Sequence, residues 1–241
     1  LDKIQAALAL DPNNLDVQRV YGTVLEGNGD YEGAIEAYEA AAELAPNLTF
    51  LYLRIGANYR RLGRVAEALD AFAKAERINL QLGIQDPIPY LAIGRTYLQD
   101  GEFFIAARNL EQAVLIDPGN PELLGFLGVI YFKARNYENS EATLSCAVDG
   151  CDDAQHALLL CETLVILDCT EEGEDLRASG VVGLELDADS LEYYYTFGSL
   201  LAFERKCDEA EAVFLRLESE YRTDPIVAAI VAEGRALCSG G

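Results

Sequence analysis

Small and large side chains alternate along this chain with a period near 34 residues. Gly22, Gly56, Gly94, Gly128 and Gly198 mark the series, and Ala232 closes it, at steps of 34, 38, 34, 70 and 34 residues. Three positions after each glycine stands a large residue: Leu25, Tyr59, Tyr97, Tyr131 or Leu201. Twelve after it stands a small one (Ala34, Ala68, Ala106, Ser140, Ala210), and sixteen after it a large one (Tyr38, Phe72, Leu110, Leu144, Phe214). At nineteen come Ala41, Ala75, Ala113 and Ala147, a series that Leu217 breaks. The step of 70 is two periods with a degenerate unit between them.

Such a pattern asks for paired antiparallel helices. Small residues let two helices approach closely while Tyr, Phe and Leu fill the gaps between them. Gly29-Asp30, Gly63-Arg64 and Gly101-Glu102 supply turns, and prolines such as Pro46 and Pro118 stop the second helix of a unit. The register predicts an all-α chain, one array over residues 1–241. Full helix–turn–helix units are expected at 15–48, 49–86, 87–120, 121–154, 155–190 and 191–224. A second helix alone is expected over 1–14 and a first helix alone over 225–238. The unit at 49–86 is four residues longer, with an insertion near residues 80–87 that lengthens its second helix or the following loop. At 155–190 Glu162 stands where glycine is expected and the second helix does not register, which predicts a local bend.

Together these positions resemble the tetratricopeptide repeat family over nearly the whole chain. The resemblance implies a right-handed α-solenoid whose first helices line a concave inner surface, where ligands lie. Carried onto this sequence, the inward positions that would bind a partner are Phe50, Leu53, Arg54, Arg61, Arg95, Phe126, Val129 and Tyr195. Phe132 and Phe203 share that register and serve equally well as core between helices. The carboxylate clamp of the family's chaperone-binding members would fall on Arg19, Thr23, Arg54, Ile88 and Ala92. Only the two arginines could serve, so that clamp is not expected.

Charge sharpens the picture. The chain carries 41 acidic and 18 basic side chains, a net charge of −23. Phosphate backbones and anionic lipid repel such a polyanion, so nucleic acid and membrane surfaces are poor partners. Its longest uncharged stretch, Tyr193 to Phe203, has 11 residues, well short of the roughly 20 that a membrane span needs. Residues 49–86 are the exception, with six basic side chains against four acids. An apolar groove bearing arginines suits an extended or helical peptide with a carboxylate.

Catalytic chemistry is not expected. There is one histidine, His156, and no HExxH, GxSxG or GxxxxGK[ST] motif. The run Glu171, Glu172, Glu174 and Asp175 reads as a solvated helix face rather than a cation site. Cys146, Cys151, His156 and Cys161 are spaced by five, which on a helix turns each side chain about 140° from the last and cannot close a tetrahedral zinc cage. His156 is expected to be a partly exposed first-turn residue, and no cofactor or metal is expected. All six cysteines lie between Cys146 and Cys238. Antiparallel stacking puts the start of one second helix beside the end of the next first helix, which predicts a Cys207–Cys238 disulfide. Cys146, Cys151, Cys161 and Cys169 allow three pairings. Disulfides favour an extracytoplasmic or secreted location, and the sequence begins at Leu1 without a methionine, as a processed or excised piece would.

A non-catalytic scaffold for a peptide or partner protein is therefore expected. The alternative is a structural subunit that assembles head to tail. There, Ile4, Ala7 and Leu8 of the lone second helix would meet Ala228, Val231 and Ala232 of the lone first helix, completing one repeat between chains. Such a heterologous contact does not close and yields filaments.

Overall fold

The computed structural model describes residues 2–152, 155–156, 159–160 and 182–239. Among them it has twelve helices and no strand: α1 Asp2–Leu10, α2 Leu15–Gly27, α3 Tyr31–Leu44, α4 Thr49–Arg61, α5 Val65–Leu82, α6 Ile88–Gln99, α7 Phe103–Ile116, α8 Pro121–Lys133, α9 Tyr137–Asp149, α10 Leu191–Phe203, α11 Cys207–Glu220 and α12 Pro225–Ser239. The chain folds as two compact units, Leu1–Asn109 and Leu110–Gly241. Within the units α2 packs with α3, α4 with α5, α8 with α9, and α10 with α11.

Local chemistry sets the helix ends. Asn14 accepts from the amides of Asp16 and Val17, and Asn120 accepts from those of Glu122 and Leu123, satisfying first-turn N–H groups that have no partner within the helix. Pro121 follows Asn120 at the first helical position, where its missing N–H costs nothing. Between the helices of a pair the backbone turns through the left-handed region. Gly29 and Gly63 do this in the first unit at φ near 80° and 73°. In the second unit Arg135 and Arg205 take the same turn, at φ 61° and 65°.

In the first unit α2 packs on α3, α3 on α4, α4 on α5 and α5 on α6. The marker glycines are where one helix meets the large residue sixteen positions on. A Cβ on Gly22 would come within 2.8 Å of the Tyr38 ring, and one on Gly56 within 2.5 Å of Phe72. No side chain fits there, so the period in the sequence is a packing constraint. The extra length at 49–86 goes into α5, which runs 18 residues against 14 in α3.

In the second unit α10 packs against both α8 and α9. Gly125 of α8 faces the Tyr193 ring, and Val129, Leu144 and Val148 share one core with Tyr194, Phe197 and Leu200. The repeat that begins at Leu191 thus stacks directly on the one that begins at Pro121. Leu184 helps seat it: its amide donates to the Ala147 carbonyl, and its own carbonyl accepts from the Tyr194 hydroxyl. The degenerate unit expected at 155–190, its bend and the acidic run at 171–175 lie largely or wholly outside the described residues. His156 lies inside them and is fully buried, not partly exposed as its first-turn position suggested.

In the last helix Val231, one position before Ala232, is buried as Ile55, Ile93, Leu127 and Phe197 are before their marker glycines. Val227 and Val231 of α12 point into the core, and Gly234, like Gly198 of α10, faces Phe214. Ala232, two residues earlier, is exposed.

Candidate partner-binding site

The arginines of the first unit gather around a residue that the sequence does not advertise. Glu26, near the end of α2, is buried, and its carboxylate sits between α3 and α4. Arg54 reaches it at 2.5 Å and Arg61 at 2.8 Å. The Tyr38 hydroxyl and the Asn58 side-chain amide donate to the same carboxylate, each at 3.3 Å. Burial alone would lower the Arg54 pKa, but its contacts with Tyr38 and Glu26 outweigh that and raise it. Arg54 and Arg61 are therefore engaged by the protein's own carboxylate. Three other groups of the first unit carry charge or apolar surface nearby.

Those groups are Arg60, Arg95 and Phe50. Arg60 closes the last turn of α4 and Arg95 projects from α6. Burial lowers the Arg60 pKa, and the positive charges of Arg95 and then Arg61 lower it further. Phe50, at the start of α4, is 40% exposed and lies under the Arg54 guanidinium, 5.9 Å from ring centroid to Cζ. Leu53 is half-buried and packs against the core. The first-helix face of this unit thus presents an exposed aromatic ring, a satisfied ion-pair network and a cluster of three guanidiniums.

The predicted residues of the second unit divide differently. Phe126 and Val129 are 8% and 1% exposed, and both belong to the interior of the unit. A helix as apolar as α8, with nine consecutive buried residues from Leu123 to Tyr131, has no free inner face. Tyr195 does reach a surface. With Phe132, Tyr137, Phe203 and Leu237 it lines an aromatic recess of about 320 Å3.

Cys207 and Cys238 stand at disulfide distance, with Cα atoms 5.7 Å apart, and so do Cys146 and Cys151 at 5.0 Å. Cys161 and Cys169 lie outside the described residues. Arg235 adds a second tie between α12 and α11. It holds Glu211 through two hydrogen bonds and Glu218 through two more, which lowers both carboxyl pKa values. Among the described residues no group of three His, Cys, Asp or Glu side chains converges as metal ligands would. No helix among them is long and apolar enough to cross a membrane.

The residues proposed for self-assembly are also placed. Ile4, Ala7 and Leu8 are half-buried on α1, which packs on α2, and Ala228 and Ala232 are exposed on α12. Val231 is buried in its own core, so it cannot serve a second chain. Sequence reasoning missed Glu26 and Arg60. Both stand four positions after a marker glycine, Gly22 and Gly56, a position that holds Leu98, Phe132 and Ala202 in other repeats and so carries no signal of its own.

Comparison with known proteins places this architecture. The sequence profile of the tetratricopeptide repeat matches residues 1–49, 22–81 and 91–157. Small glutamine-rich tetratricopeptide repeat-containing protein 2 of Mycosarcoma maydis is 28% identical over 148 residues, covering 59% of this chain and 41% of that protein. The chain therefore spans less than half of that relative's length. The crystal structure of PilW, a widely conserved type IV pilus biogenesis factor, superposes with a TM-score of 0.66 at 16% identity, over 95% of this chain and 87% of PilW. YrrB, described as a TPR protein with an unusual peptide-binding site, superposes with a TM-score of 0.57 at 16% identity, over 95% of this chain and 97% of YrrB.

Proposed function

Because the chain belongs to the tetratricopeptide repeat family, we propose that it is a protein-interaction scaffold and that the arginine-bearing face of α4 and α6 receives an acidic segment of a partner protein. The family supports the general role, since its members bind protein partners and are generally not catalysts. One observation carries the finer reading. In a chain of net charge −23, Arg60 is packed where burial, Arg95 and Arg61 all work against its charge. Like charges brought together on a scaffold raise its free energy, and an anion set among them recovers that cost. A carboxylate can accept two parallel hydrogen bonds from a guanidinium, and Phe50 offers an apolar anchor at the other end of α4, nearly three turns from Arg60.

Binding of a short fluorescent peptide rich in glutamate and leucine tests this. The Arg60→Gln/Arg95→Gln double variant should weaken it by about tenfold, as loss of charge-assisted contacts does, and added salt should weaken the wild type. Unchanged affinity would move the site elsewhere. Arg54 and Arg61 are the wrong residues to reverse, because a glutamate at either would face Glu26.

Head-to-tail assembly is a second reading, supported by exposed apolar side chains on both terminal helices, with Leu10 88% and Ile226 65% exposed. Val231→Glu would unfold α12 rather than test it. Ala232→Glu leaves the core intact, and light scattering over a concentration series then reads assembly alone.

A further inference from the structure

We propose that the groove between α3 and α5 is a second docking site, and that its occupant is a lysine- or arginine-bearing segment of a partner protein. The groove holds about 650 Å3. Its floor is Tyr52, Ile55 and Tyr59 of α4, on the side of the helix opposite Arg54 and Arg61, as their spacing along a 3.6-residue turn requires. Its walls carry Glu39 and Glu43 from α3 and Glu67 and Asp70 from α5.

Both rings of the floor already attract cations. Lys74 Nζ lies 4.4 Å from the Tyr52 centroid, and the Arg64 guanidinium 4.6 Å from that of Tyr59. A tyrosine face draws positive charge through its quadrupole, so these contacts mark the floor as a seat for ammonium and guanidinium groups. The cations at hand do not balance the walls. Arg64 pairs with Glu67 at 2.8 Å, and Glu39 accepts from the Tyr59 hydroxyl at 3.2 Å. Glu43 and Asp70 are exposed at the rim, with no ion-pair partner among the described residues.

The second unit supplies an internal control. The groove between α9 and α11, floored by α10, is built from the same repeat positions. Tyr194 takes the place of Tyr52, and Arg216 stacks 4.7 Å over it where Lys74 stacks in the first unit. A cation on the first tyrosine is thus part of how these repeats pack. The rest differs. Ser145 and Ala212 replace Glu39 and Asp70, Leu201 replaces Tyr59, and the groove shrinks to about 360 Å3. Packing does not require the extra acids or the second ring, because the second unit folds without them. Their gathering in the first unit is charge complementarity to a basic partner.

The test is fluorescence anisotropy with a short labelled peptide of alternating lysine and alanine, at near-physiological salt. The wild type should bind saturably, and Glu43→Gln/Asp70→Asn should weaken binding about tenfold. Asp149→Asn/Glu209→Gln makes the same change in net charge in the second unit's groove, and should change affinity by less than about twofold. Tyr59→Leu, which copies Leu201, should weaken binding about threefold. Equal losses in the two double variants would overturn the proposal in favour of a diffuse acidic field. Absence of saturable binding to the wild type would overturn it outright. A peptide signal that fades as the wild-type protein self-associates at higher concentration would place a second copy in the groove and overturn it as well. Circular dichroism reports whether each variant is folded, and the Glu43/Asp70 pair, being exposed, tests the site even where Tyr59→Leu unfolds.

Discussion

The two units solve the same packing problem with different chemistry. In the first, no cysteine is present, the inter-helix turns use glycine, and a buried glutamate is matched by two arginines, a tyrosine and an asparagine. In the second, arginine occupies the left-handed turns, the core is more continuously apolar, and cysteine pairs stand at disulfide distance. Polar groups held inside the first unit restrict which arrangements satisfy them, while the second relies on apolar burial and covalent ties. The charged faces proposed for partners both lie in the first unit.

The covalent tie should show the contrast most strongly. The Cys207–Cys238 pair closes 31 residues, and in the chain-entropy account a loop of that size contributes roughly 3–4 kcal/mol. Cys207→Ser/Cys238→Ser should therefore lower the stability of the second unit by about that much, read by chemical denaturation. Amide exchange in α2 to α4 should be unaffected. Equal loosening of both units would dissolve the comparison.

A smaller effect is expected at Glu26. Glu26→Ala leaves Arg54, Arg61 and the Tyr38 hydroxyl without their shared acceptor. Both arginines keep access to water, with side chains 34% and 48% exposed, so the cost is about 2 kcal/mol rather than that of a fully buried pair. If the variant is as stable as the wild type, the network is not what orders the first unit.

Glu26 also marks the limit of what the sequence discloses. The glycine series was legible because members such as Gly22 and Gly56 are steric necessities, with Tyr38 and Phe72 filling the space a Cβ would need. Cys207 and Cys238 could be placed as neighbours because helix ends in a regular array meet at known positions. A charge cluster is another matter. From the sequence, Arg54 and Arg61 are basic residues on an inner face, and their partner lies 28 and 35 positions earlier on another helix. Nothing in the period says that Glu26 turns inward. The packing of α10 on α8 and α9 was hidden for a related reason: the period orders repeats along the chain, and only contacts such as Gly125 with Tyr193 show which helices touch. In α12, Val231 stands one position before the marker, as the buried Ile55, Leu127 and Phe197 do, so the register itself puts its side chain in the core rather than on a free face.

The smallest predicted change sharpens the comparison from the turns. Arg135 is exposed and sits at φ 61°, a conformation that side chains with a Cβ disfavour by about 1 kcal/mol or more. Arg135→Gly, which imports the first unit's solution, should raise the second unit's stability by about 1 kcal/mol in chemical denaturation. The mirror substitution, Gly63→Arg, should lower that of the first unit by a similar amount.

Backbone amide shifts of isotopically labelled protein, followed by NMR during titration with the glutamate- and leucine-rich peptide, test the central claim most directly. The account predicts saturable shifts concentrated in α4 and α6, around Phe50, Arg60 and Arg95, with the helices of the second unit unmoved. Shifts concentrated in α8 to α12, or none that saturate, would contradict it.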